Sequence, residues 1–156
     1  MGLPRAFVGF SSTDIHYFRL MQAWKANSKF DFNFTDCQLV NSINSQDEAY
    51  IKRLLRERIN MAGTFISLIG EDTKNKSNFV DWEIEVAKEK ECRLIGVNLN
   101  GNRCIDDNCP YPLRNSGAIF VPFSPNIVAY ALKNYQRNTS KDWHYKDEIY
   151  EKLEYL

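Results

Sequence analysis

Thr64-Phe65-Ile66-Ser67-Leu68-Ile69-Gly70, followed after six residues by Ser77-Asn78-Phe79-Val80-Asp81-Trp82-Glu83-Ile84-Glu85-Val86-Ala87, decides how this chain folds. The first stretch is apolar almost throughout, as a central strand covered on both faces must be. The second carries apolar residues at helical spacing. Asn78 is placed to cap that helix, and Asp81 falls in its first turn, where an acid suits the helix dipole. Residues three and four apart share a helical face, so Glu83 lies with Phe79, Val86 and Ala87. A carboxylate among apolar neighbours near a helix start is either a structural cap or part of a site.

Outward from this strand–helix unit the same alternation repeats. Residues 6–10 form a strand. Residues 14–27 follow as a helix marked by Ile15, Phe18, Met21 and Gln22, with Ser12 or Thr13 as cap. The run 30–34 alternates aromatic and polar residues, a strand with two unlike faces. A polar loop over 35–46 leads to a helix over 47–61, striped by Ile51, Leu54, Leu55 and Ile59 and ended by Gly63. On the other side lie a strand at 93–99, a long loop at 100–116, a strand at 118–122 ended by its proline, and a helix at 125–135 opened by Pro125. Five strands alternating with helices specify an α/β fold, a five-stranded parallel sheet with helices on both faces. Ligands on such sheets bind beyond the carboxyl ends of the strands, where strand order reverses. That places a candidate pocket in the loops 11–14, 36–44 and 70–78 and at the start of the Phe79 helix.

Residues 1–136 form one domain by this reading, and residues 137–156 a helical tail packed on it. The tail carries Trp143, Tyr145, Ile149, Tyr150, Leu153 and Leu156 at amphipathic spacing. Docking on the domain is favoured over self-association, although a homo-oligomer stays open. At 156 residues the chain suits a single domain that needs no covalent staples. Twenty basic residues balance twenty acidic ones, which offers no electrostatic footprint for nucleic acid. No apolar run approaches the ~18–20 residues of a membrane span, and no signal peptide is visible. A cytoplasmic protein with neither membrane nor nucleic-acid partner is expected. Cys37, Cys92, Cys104 and Cys109 lack the paired His/Cys spacing of a zinc site and are read as reduced thiols, with no metal.

Four segments, in this order and spacing, resemble the TIR-like domains of bacterial antiphage systems, of the Thoeris type. They are Phe7-Val8-Gly9-Phe10-Ser11-Ser12-Thr13-Asp14, Phe34-Thr35-Asp36, Leu68-Ile69-Gly70-Glu71-Asp72-Thr73 and, most specific, Phe79-Val80-Asp81-Trp82-Glu83-Ile84. The similarity covers about residues 5–135 and leaves out the tail. The resemblance implies a flavodoxin-like sheet and an enzyme that cleaves NAD at the nicotinamide–ribose bond. NAD is then a substrate and no cofactor is needed. The ADP-ribose moiety becomes a cyclic or conjugated signalling nucleotide that activates a partner effector protein. Glu83 corresponds to the family's catalytic glutamate. Many such enzymes carry Trp four residues before it, where this chain has Phe79; Trp82 faces elsewhere.

Cleavage builds oxocarbenium character on the ribose while the cationic leaving group becomes neutral. One carboxylate near the ribose can stabilise that charge, and the departing nicotinamide needs no second acid. For substrate binding Phe10 and Phe79 offer rings for nicotinamide or adenine. Ser11 and Ser12, with the N–H groups opening the first helix, can hold a phosphate, and Asp14 and Asp36 can bind ribose hydroxyls. Each of these has a structural alternative as cap, core or loop residue. Asp81 and Glu85 read as solvated surface. The loop 39–44 is a candidate lid that would exclude water from the intermediate. Two other readings stand beside this one, a non-catalytic TIR interaction module and a nucleoside deoxyribosyltransferase-like enzyme.

Overall fold

The computed structural model describes residues 5–24, 33–35, 48–75, 78–135 and 141–153. β1 (Arg5–Gly9), β2 (Asn33–Thr35), β3 (Thr64–Ile69), β4 (Arg93–Asn98) and β5 (Ile119–Pro122) form the expected parallel sheet. A sixth, two-residue strand β6 (Trp143–His144) extends it, giving the order β2-β1-β3-β4-β5-β6. Strand order reverses between β1 and β3, the topological switch point of a flavodoxin-like fold.

The helices are α1 (Ile15–Trp24), α2 (Glu48–Ala62), α3 (Asn78–Glu89), α4 (Pro125–Asn134) and α5 (Asp147–Lys152). α2 and α3 pack side by side over β1, β3 and β4. The β1-to-β2 connection runs across the sheet opposite to β3-to-β4. Right-handed crossovers therefore put α1 on the face away from α3. Between these layers β3 is buried at all six positions, and Phe7 stacks on Phe65 at 5.6 Å between ring centres. Gly63, with φ 75°, closes α2 in the left-handed conformation that glycine adopts without a Cβ penalty.

Two sequence expectations change. Asn78 is the first residue of α3 and not a cap that precedes it. The tail is not one helix from Asp142. Asp142 accepts hydrogen bonds from the N–H groups of Asn115 and Ser116 at 2.6 and 3.0 Å, and Trp143 N–H donates to Ala118 at 3.1 Å. These bonds draw Trp143–His144 onto the open edge of β5, so the helix starts only at Asp147. No helix among the described residues is long and apolar enough to cross a membrane.

Candidate active site

Glycines set the floor of the carboxyl rim. Gly9 ends β1; a Cβ there would stand 2.7 Å from Phe65 Cζ and 3.1 Å from Glu83 Oε1. The Glu83 carboxyl therefore lies directly over the end of β1, in space that any side chain at position 9 would claim. α3 brings it there: Ile84, Val86 and Ala87 pack into the core and hold the helix against the sheet. Among the described residues no hydrogen bond or ion pair holds Glu83. The residue keeps some exposure, yet its carboxyl is deep enough that burial pushes its pKa up to about 8. An acid raised by burial at a rim is a candidate for site chemistry.

Its helical neighbours face elsewhere. Trp82 turns toward α2, with Lys52 and Arg56 at 5.3 and 5.8 Å from its ring. Glu85 is exposed and paired with Lys88 at 3.3 Å. Asp81, expected on the surface, is partly buried, and that burial together with nearby Glu85 raises its pKa.

The β1–α1 turn supplies the second part of the rim. Asp14 N–H donates to Ser11 O at 2.8 Å, and the Ser11 and Thr13 hydroxyls are 3.1 Å apart. Ser11 is thus buried within the turn. Asp14 lies on the opposite sheet face from Glu83, against Gly70, whose Cβ would meet its Oδ2 at 2.6 Å. Asp14 Oδ2 is buried with no hydrogen-bond partner among the described residues. Burial raises the Asp14 pKa and Asp72 adds to it, while His16 and the Thr73 hydroxyl act the other way.

A cavity of about 250 Å³ opens here, lined by Thr13, Asp14, Tyr17, Gly70, Glu71, Asp72, Leu99, Asn100 and Asn108. It lies over the ends of β1, β3 and β4, as the switch-point rule requires. Its wall of carboxylates and carboxamides suits hydroxyl-bearing or cationic groups better than a phosphate. Glu83 is not among its lining residues; the two flank the same rim. Phe10 is not in the lining either, and stacks on Phe18 of α1 at 4.9 Å. Asp36, the candidate lid at 39–44 and the side chains of Ser12 and Phe79 lie outside the described residues. Sequence reasoning took the β1 and β3 loops but missed the β4 loop with Asn100 and Asn108. The switch-point rule names the ends of all strands, so β4 followed by Asn-Leu-Asn-Gly-Asn at 98–102 was a usable signal.

The fold is a doubly wound parallel α/β sheet with one deep glutamate on the helix after β3. The chain belongs to the family described as Thoeris protein ThsB, TIR-like domain, whose model matches residues 7–104, more than half of the chain. No curated protein matches it. Among solved structures it is similar to a conserved protein from Enterococcus faecalis V583, at 14% identity over 99% of both chains and a TM-score of 0.51. That likeness concerns the fold. The Clostridium botulinum CMP N-glycosidase BcmB aligns at 12% identity over 97% of this chain and 99% of that one, with a TM-score of 0.45.

Proposed function

We propose that this protein is an enzyme of antiphage defence that cleaves NAD at the nicotinamide–ribose bond and passes the ADP-ribosyl group to a second nucleophile, making a signalling nucleotide. The observation that carries the reading is the Glu83 carboxyl, unpaired among the described residues and set over Gly9 at the end of β1. Membership of the Thoeris ThsB family supports the defence role.

In the proposed step the bond between ribose C1′ and the nicotinamide nitrogen breaks, and its electron pair neutralises the ring nitrogen. The ribose gains positive charge, which ionised Glu83 stabilises from close range in a site of low dielectric. A hydroxyl or another nucleophile then bonds to C1′ and releases its proton. Buried as it is, Glu83 is largely protonated near neutral pH in the free protein. The cationic ring of NAD beside it favours the charged form, so binding the substrate also readies the carboxylate. The rim cavity, rich in acceptors, holds a hydroxyl-bearing part of the substrate. NAD is the substrate, no cofactor is required, and the partner effector is reached through the nucleotide product.

Mass spectrometry of small molecules from phage-infected cells tests this. Cells expressing the wild type are expected to accumulate an ADP-ribose-derived nucleotide that cells expressing Glu83→Gln lack. No such species in either, with unchanged NAD, overturns the reading in favour of an interaction module. Turnover of a nucleoside panel in place of NAD would identify a nucleoside-processing enzyme.

A further inference from the structure

The tail reaches the rim. β6 runs parallel to β5, so the chain leaves His144 at the carboxyl edge of the sheet, the edge on which the cavity opens. There α5 buries Tyr150 completely and presents Asp147 outward. Arg103, from the loop after β4, lies over the Tyr150 ring at 4.1 Å and pairs with Asp147 Oδ1 at 3.1 Å. The Arg103 side chain is 25% exposed and Asp147 81%, so the stacking on the buried Tyr150 ring, more than the screened ion pair, fixes the guanidinium.

The loop carrying Arg103 is tied at two further points. Asn98, 1% exposed at the end of β4, donates from Nδ2 to the carbonyls of Asn102 and Cys104 at 2.9 Å each, one on either side of Arg103. Asp106 accepts from Asn100 and Asn102 side chains at 2.9 and 2.7 Å and from Asn108 N–H at 2.9 Å. Asn100 and Asn108 are also cavity wall. The wall is thus held from the sheet by Asn98, from within by Asp106, and from the tail by Arg103.

We infer that Arg103 is a positioning residue, through which the docked tail helix sets the loop 99–108 that walls the rim cavity. The inference rests on the proposed function in taking that cavity as part of the substrate site. It also gives a role to the segment beyond the family match. An undocked tail leaves the loop with its sheet and internal ties only, and the cavity loses a fixed wall. Tail docking and substrate affinity are then coupled.

The full chain tests this as wild type, Arg103→Ala, Arg103→Lys and Asp147→Asn. Hydrogen exchange over 99–108 is measured against β1 and β3, alongside KM and kcat for NAD. Arg103→Ala is expected to speed exchange in the loop about tenfold while both strands stay protected. KM rises about fivefold with kcat little changed. Asp147→Asn, a change at an exposed side chain, moves both quantities the same way by less, and Arg103→Lys recovers part of each. Unchanged loop exchange in Arg103→Ala overturns the inference, as does equal loss of protection in the strands. If the wild type fails to turn over NAD, the proposed reaction falls, while the exchange pattern still decides the role of Arg103.

Discussion

At the scale of single residues, Glu83 and Gly9 form one unit. Glycine leaves the room that the carboxyl occupies, 3.1 Å from where a Cβ would sit. Gly9→Ala should therefore displace Glu83 or Phe65, costing about 1–3 kcal/mol of stability as overpacking does. NAD turnover should fall more steeply than the melting temperature implies; scanning calorimetry and kinetics on the same sample check this. Glu83 also predicts a pH dependence. Its pKa stands near 8 when folded against 4.5 when free. Between those values the folded state binds more protons, so the group's contribution to stability declines as pH rises from 4.5 to about 8 and then levels off. Glu83→Gln removes that burden and should be more stable than wild type above pH 8, by on the order of 1–3 kcal/mol, in denaturant titrations at two pH values. Activity runs the other way: kcat/KM should rise with pH and flatten above about 8. A profile flat from pH 5 to 9 would remove Glu83 from the chemistry.

Elements explain which features could be read in advance. The β3–α3 unit was legible because six buried positions in a row and a helical apolar stripe are long periodic signals. The position of Glu83 followed from the same stripe. β6 was not legible: two residues carry no period, and what makes them a strand is the free edge of β5 together with Asp142 gripping Asn115 and Ser116. The β4 loop likewise has no period; its order comes from side-chain amides that meet only after the sheet has formed. Two expectations follow. Asp142→Ala leaves two N–H groups without their acceptor and should cost about 1–3 kcal/mol, lowering the melting temperature by several degrees. Burial alone would raise the Asp106 pKa, but hydrogen bonds from Asn100, Asn102 and Asn108 N–H outweigh it and bring it below the ordinary 3.8. The stability this gives is present above 3.8 and is lost as pH falls through the lower folded value. Exchange protection of 99–108 should therefore fail in acid before that of β3.

For the molecule as a whole, one sheet edge gathers the parts: Glu83 over β1, the acid-lined cavity over β1, β3 and β4, and the tail helix beside the β4 loop. The fold alone does not choose a reaction, since doubly wound sheets host many. The choice rests on a deep carboxyl at the switch point, unpaired among the described residues. Nicotinamide release from NAD measures it most directly, with purified wild type and Glu83→Gln compared with and without an extract of phage-infected cells. The wild type should release nicotinamide in at least one of those conditions. Glu83→Gln, folded by calorimetry, should release it at least about a hundredfold more slowly, the usual scale for removing an electrostatic stabiliser. Equal release by both proteins, or none from the wild type under either condition, would contradict the account.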